Sequence, residues 1–159
     1  MANPEGITRE EALEFLARFV KSYNSGSEDY FNHFTDEATF FALSVPTRVD
    51  GLKEYRVGFE RAFSRGKDRT TQILSPEVRL LGASAALITF YNRVQVDDLT
   101  SNNRLSLVVE RTKGGLKVSH LHASAISAPT IRPEPGGRED IRILEERVAT
   151  AIGAVGTPK

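Results

Sequence analysis

The chain has 159 residues, 21 basic and 21 acidic side chains and no cysteine. That length suits one domain with a real core, and the balanced charge argues against nucleic acid, whose phosphates need a basic excess or stripe. Without cysteine there are no disulfides, no thiolate chemistry and no cysteine-ligated zinc. The early charges of MANPEGITREEALEFL and the lack of a long apolar run predict a cytoplasmic protein with no membrane partner.

Thr8-Arg9-Glu10-Glu11 has the form of a capping box, with Thr8 placed to accept from the Glu11 amide. Behind it Ala12, Leu13, Leu16, Phe19, Val20 and Tyr23 recur at helical spacing, and Phe15 widens the stripe. Asn24-Ser25-Gly26-Ser27 ends this helix. A short second helix is predicted over 28–34 and a strand over 36–43. Pro46 and Asp50-Gly51 break the strand, and Tyr55, Phe59, Ala62 and Phe63 mark a third helix over 52–65. From there the period becomes strand-like, over 69–81, 84–96, 104–112 and 116–127. Pro76 predicts a bend, Leu99 to Asn103 a loose connection, and Lys113-Gly114-Gly115 a tight hairpin loop. Residues 128–137 carry three prolines and two glycines, and 138–152 form an amphipathic tail with Ile141, Leu144, Val148 and Ile152 on one face.

This order predicts an α+β fold. Three N-terminal helices pack on one side of a curved antiparallel sheet, a concave mouth lies between them, and a tail helix follows. The domain is expected over 1–128, with the linker and tail over 129–159.

The segment TTQILSPEVRLLGASAALITFYNRVQVD, with FTDEATFF before it and HLHASAISAP after it, resembles the nuclear transport factor 2-like superfamily of cone-shaped α+β folds. It is most similar to the association (hub) domain of calcium/calmodulin-dependent protein kinase II and its stand-alone bacterial relatives. Ile73-Leu74-x-Pro76, Gly82, Ala85-Ala86, Val94-Gln95 and the closing H-x-H-x-S carry the resemblance. It implies a dimer or larger ring, but no single activity, because this fold hosts isomerases, SnoaL-type cyclases, hydrolases and non-catalytic hubs. Three pocket arginines of the hub correspond to Asn92, Leu107 and Ala123 here, and a pocket histidine falls near Thr70. The isomerase's catalytic aspartate aligns with Ala42, and its first-helix tyrosine lies near Phe19. Both an anion-binding hub pocket and steroid-isomerase chemistry of that design therefore look lost.

Side chains alternate faces along a strand, so those aligned positions predict which residues share the pocket. Phe90, Val94, Leu105, Leu107, Val109, Ser119, Leu121 and Ala123 would face it, with Ala38, Phe40 and Ala42 from the first strand. Phe15, Phe19, Tyr55, Phe59 and Phe63 would come from the helices. The pocket is apolar, with Asn92 and Tyr55 as the groups able to polarise a ligand oxygen. Packing alone accounts equally well for these rings. The opposite face would carry Tyr91, Arg93, Leu116, Val118, His120, His122 and Ser124, a mixture that suits a homodimer seam.

KVSHLHASA places His120 and His122 on that opposite face. Two histidines can share a metal, but a third ligand is not evident, and Ser124 follows no nucleophile-elbow pattern. Neither metal nor cofactor is expected. The functional expectation is a small-molecule-binding protein of SnoaL-like character, of the isomerase, cyclase or lyase kind, acting on a hydrophobic cyclic or polyketide-like compound. The alternative is a non-catalytic hub-like oligomerisation module.

Overall fold

The computed structural model describes residues 6–43, 45–65 and 69–126. The linker and tail helix expected over 128–152 lie outside the described residues. Helix α1 (Arg9–Ser25) starts where the capping box places it, with the Glu11 amide donating to the Thr8 hydroxyl at 3.1 Å. It ends at Gly26, whose φ of +62° is cheap for a residue without Cβ. A 3-10 helix (Glu28–His33) follows and runs straight into strand β1 (Phe34–Phe41). The expected second helix is thus one residue shorter and more tightly wound, and the strand starts two residues earlier.

A two-residue strand β2 (Val49–Asp50) precedes helix α2 (Leu52–Arg65). Four long strands complete the chain: β3 (Arg69–Leu81), β4 (Ala85–Val96), β5 (Leu99–Thr112) and β6 (Gly115–Ala125). The sheet order is β2-β1-β6-β5-β4-β3. Its pairs are antiparallel apart from β1 with β6, which run parallel. The loose connection expected after Leu99 is instead ladder: Val96 pairs with Leu99 across a two-residue turn at Asp97-Asp98. Asp97 takes a φ of +54° there, a conformation aspartate tolerates better than most residues. Among the described residues, no helix is long and apolar enough to cross a membrane.

Two irregularities in the antiparallel ladders set which side chains face inward. Ser75 and Pro76 interrupt the β3–β4 ladder between Leu74 and Glu77, where the bend at Pro76 was expected. Ser119 interrupts β5–β6, because Val108 pairs with His120 while Val109 pairs with Val118. An extra residue in one strand reverses the alternation beyond it and bends the sheet. Val118 is therefore fully buried and Leu116 packs against the core, although strict parity assigned both to the outer face.

The core is a cluster of aromatic rings between helices and sheet. Tyr30 lies at its middle, within 5.2–6.4 Å (centroid to centroid) of Phe19, Tyr23, Phe31, Phe34, Tyr55, Phe59 and Phe63. Tyr55 lies flat against Phe40, centroids 3.8 Å apart and planes within 6°. On the side of the α1 N-terminus, Arg111 of β5 grips both carboxylate oxygens of Glu11 at 2.6 and 2.8 Å, fixing the helix across the sheet. The Phe34→Ala variant should lose about 3–5 kcal/mol, whereas Leu99→Ala, at a site 76% exposed, should lose under about 0.5 kcal/mol, both read from urea unfolding midpoints.

Candidate ligand-binding cavity

The rings do not fill the whole space between helices and sheet. A cavity of about 520 Å³ remains, within the size range of ligand sites. Its floor is the inner face of the long strands, from Phe90, Asn92 and Val94 on β4 through Leu105 on β5 to Leu121 and Ala123 on β6. Its helical wall is Phe19, Val20 and Tyr23 of α1 with Tyr55, Gly58 and Phe59 of α2. Leu43 and Val45, on the loop after β1, line it while remaining largely exposed, and so form an apolar rim.

The polar groups in this wall are few. The hydroxyls of Tyr30 and Tyr55 bond each other at 2.8 Å. Burial pushes both phenols well above their ordinary pKa, so both stay protonated and neither serves as a base. On the sheet side, Asn103 donates its amide to the Asn92 carbonyl oxygen at 3.0 Å and accepts from the Ser101 hydroxyl at 3.0 Å. Thr71 donates to Asn24 at 2.6 Å. Arg69 lines one end, its guanidinium 4.8 Å over the Tyr23 ring and 4.9 Å over Phe63, and donates to the Tyr23 carbonyl. Glu54, on the exposed first turn of α2, is the carboxylate at the mouth.

Of the residues expected from sequence to face the pocket, Asn92, Tyr55, Phe19, Ala42, Phe59, Phe90, Val94, Leu105, Leu121 and Ala123 converge on the cavity. Seven do not line it. Phe15, Ala38, Phe40, Leu107 and Val109 are buried in the core, and Phe63 packs against it. Ser119 is the bulge residue, and its hydroxyl donates to the Val108 carbonyl at 3.4 Å. Arg69, Thr71, Asn103 and Tyr30 are lining residues that sequence reasoning passed over. Register offered a signal for two of them. Thr71 pairs with Val94 and Asn103 with Asn92, so both share the face of residues already placed inward.

His120 and His122 lie on the outer face, as strand parity implied, with Phe41 against both rings at 5.4–5.6 Å. His120 is bonded to the Thr39 hydroxyl through Nδ1 at 2.7 Å, and Arg104 donates to Ser124 at 3.2 Å. His33 bonds the Asp29 carbonyl through Nδ1 at 2.8 Å. Among the described residues, no group of three histidine, aspartate or glutamate side chains is placed to hold a metal.

The SnoaL-like domain family model matches residues 12–129. The delta subunit of calcium/calmodulin-dependent protein kinase type II from Oryctolagus cuniculus is 26% identical over 142 residues, covering 83% of this chain and 27% of the kinase subunit. The chain thus spans about a quarter of that relative's length. Among solved structures, a dehydratase candidate of the nuclear transport factor 2-like family from Streptomyces avermitilis superposes with a TM-score of 0.69 at 16% identity, covering 75% of this chain and 96% of that one. The hub homology domain of the Chlamydomonas reinhardtii kinase gives 0.63 at 22% identity, covering 74% and 98%. At these identities the structures establish the fold.

The outer-face histidines have a consequence for acid stability. Desolvation first, then the neighbouring His122 and Arg48, lower the pKa of His120 below its ordinary 6.5. The unfolded chain then takes up the proton first, so this contribution is present above about pH 6.5 and is lost as pH falls through the folded value. His120→Gln should flatten the stability-against-pH curve just below pH 6.5, measured by urea unfolding at stepped pH.

Proposed function

This chain belongs to the SnoaL-like domain family, and we propose that it binds an apolar, ring-bearing small molecule in the cavity between helices and sheet. The observation that carries the proposal is the cavity itself: about 520 Å³, walled by aromatic and aliphatic side chains, with the Asn92 amide and the Tyr30–Tyr55 hydroxyls as its main uncharged polar groups. Burial of ligand against Phe19, Phe59 and Phe90 supplies affinity at about 25 cal/mol per Å² of apolar surface. Asn92 and Tyr55 orient the ligand by donating to an oxygen.

The chemistry suited to such a site is isomerisation, cyclisation or elimination driven by orientation and by stabilisation of a developing oxyanion. Strong proton abstraction is not suited to it: the phenols are held protonated, and Glu54 stands at the rim. In a thermal-shift and titration screen against bicyclic and polyketide-like compounds, Asn92→Ala and Phe90→Ala should each weaken the best binder about tenfold or more. Unchanged affinity in both would move the ligand elsewhere.

A second reading, an association module, is favoured by the likeness to the kinase subunit and the Chlamydomonas hub domain. We propose a homodimer formed through the outer face of the sheet, where Phe41 stands 43% exposed against His120 and His122, and Leu81 (45% exposed), Tyr91 and Arg93 share that face. Light scattering at micromolar concentration should give twice the chain mass, and a monomer would contradict it. The two readings are compatible, because the cavity and the outer face lie on opposite sides of the sheet.

A further inference from the structure

We infer that the cavity selects its ligand by hydrogen-bond polarity: it takes neutral ring compounds that present acceptor oxygens, of ketone or lactone type, and disfavours those that present donors. This deepens the small-molecule reading above and rests on it.

The inference comes from following the side-chain hydrogens of Tyr30, Tyr55, Thr71, Asn92 and Asn103 in the wall. Tyr30 and Tyr55 are 2% and 6% exposed, and their hydroxyls carry two protons between them. One proton is used in their mutual bond at 2.8 Å. The other has no acceptor among the described residues.

The sheet side repeats the pattern. Asn103 is 2% exposed, and both ends of its carboxamide are engaged, one by Ser101 and one by Asn92. That fixes the Asn92 oxygen toward Asn103 and leaves the Asn92 NH₂ group with no acceptor among the described residues. Thr71 has already spent its proton on Asn24. The side-chain oxygens of Asn92 and Asn103 therefore each hold a donor, while the Asn92 amide and one phenol await an acceptor. Arg69, at the end of the same wall, is a donor by chemistry and has no acceptor to offer.

A donor facing the cavity loses its water when a ring compound fills the space, and a ligand carbonyl replaces that bond where a hydrocarbon does not. A ligand ammonium adds protons beside the Arg69 cation, and the carboxylate that could take them, Glu54, stands exposed at the mouth rather than in the inner wall. A preference for an oxygen-bearing ring over its hydrocarbon parent follows directly.

Three probes sharing one bicyclic skeleton test this: tetralin, 1-tetralone and 1-aminotetralin, titrated into the full chain by ligand-observed NMR. The ketone should bind about tenfold or more tighter than tetralin, and the amine more weakly than tetralin. Equal affinity of ketone and hydrocarbon, or an amine that binds tightest, would overturn the polarity inference while leaving a binding cavity. If none of the three bound, the small-molecule reading would fall, and this inference with it. Asn92→Asp, nearly the same shape but without the NH₂, should reduce the ketone-to-tetralin ratio and raise the amine's relative affinity. An unchanged ratio in that variant, with circular dichroism showing a native fold, would remove Asn92 from the selection.

Discussion

One hydrogen bond, between the hydroxyls of Tyr30 and Tyr55, sits where the rest of the structure converges. A buried hydroxyl needs a partner, and in a cluster of hydrocarbon rings each of these finds the other. The bond ties the 3-10 helix to α2, and the flat stacking of Tyr55 on Phe40 ties α2 to β1. Around Tyr30 the rings meet mostly tilted or edge to face, the arrangements that aromatic quadrupoles favour. The core is thereby closely packed on the side where β1 lies. The space toward β4 and β5 stays open, lined there by Phe90, Asn92, Val94, Asn103 and Leu105.

The same bond gives the cavity its chemical character. A lone tyrosine would offer a ligand both a donor and an acceptor. A bonded pair with its phenols held protonated has one proton to give. The Ser101–Asn103–Asn92 chain works alike on the sheet, each group spending its capacity on the next until an amide donor is left facing the cavity. Polarity at the site is thus set by residues that need not touch the ligand, Ser101 and Asn103 among them. Sheet curvature is the second constraint. The bulge at Ser119 turns Val118 into the core and keeps Leu121 and Ala123 on the cavity side, so β6 supplies both packing and lining from one strand.

Much of this was legible in the sequence, for physical reasons that can be named. The capping box at Thr8 places the start of α1 to the residue, and its end falls within the stop read over Asn24-Ser25-Gly26-Ser27, because helix ends are set by local hydrogen bonds. The period-two pattern places β3 with the same bounds as observed, and β4 within one residue. What failed was parity across an irregularity. Ser119 looked inward and Val118 outward because nothing in KVSHLHASA announces an extra residue in the ladder. Leu99 to Asn103 looked like a loop because its composition is polar, while pairing to β4 makes it strand. Phe15, Phe40, Phe63 and Leu107 were legible as inward-facing but not as core rather than lining. That distinction depends on which rings meet, a matter of three-dimensional packing. Arg69 read only as the first residue of a strand, and its seat over Tyr23 and Phe63 places it in the cavity wall.

The central claim is that ligands enter between the helices and the inner face of the sheet. Methyl-labelled protein titrated with 1-tetralone tests it most directly. The account predicts chemical-shift changes concentrated at Val94, Leu105 and Leu121, with Leu87 and Val108 on the outer face unmoved. Changes concentrated at Leu87 and Val108, or at none of these methyls under saturating ligand, would contradict it.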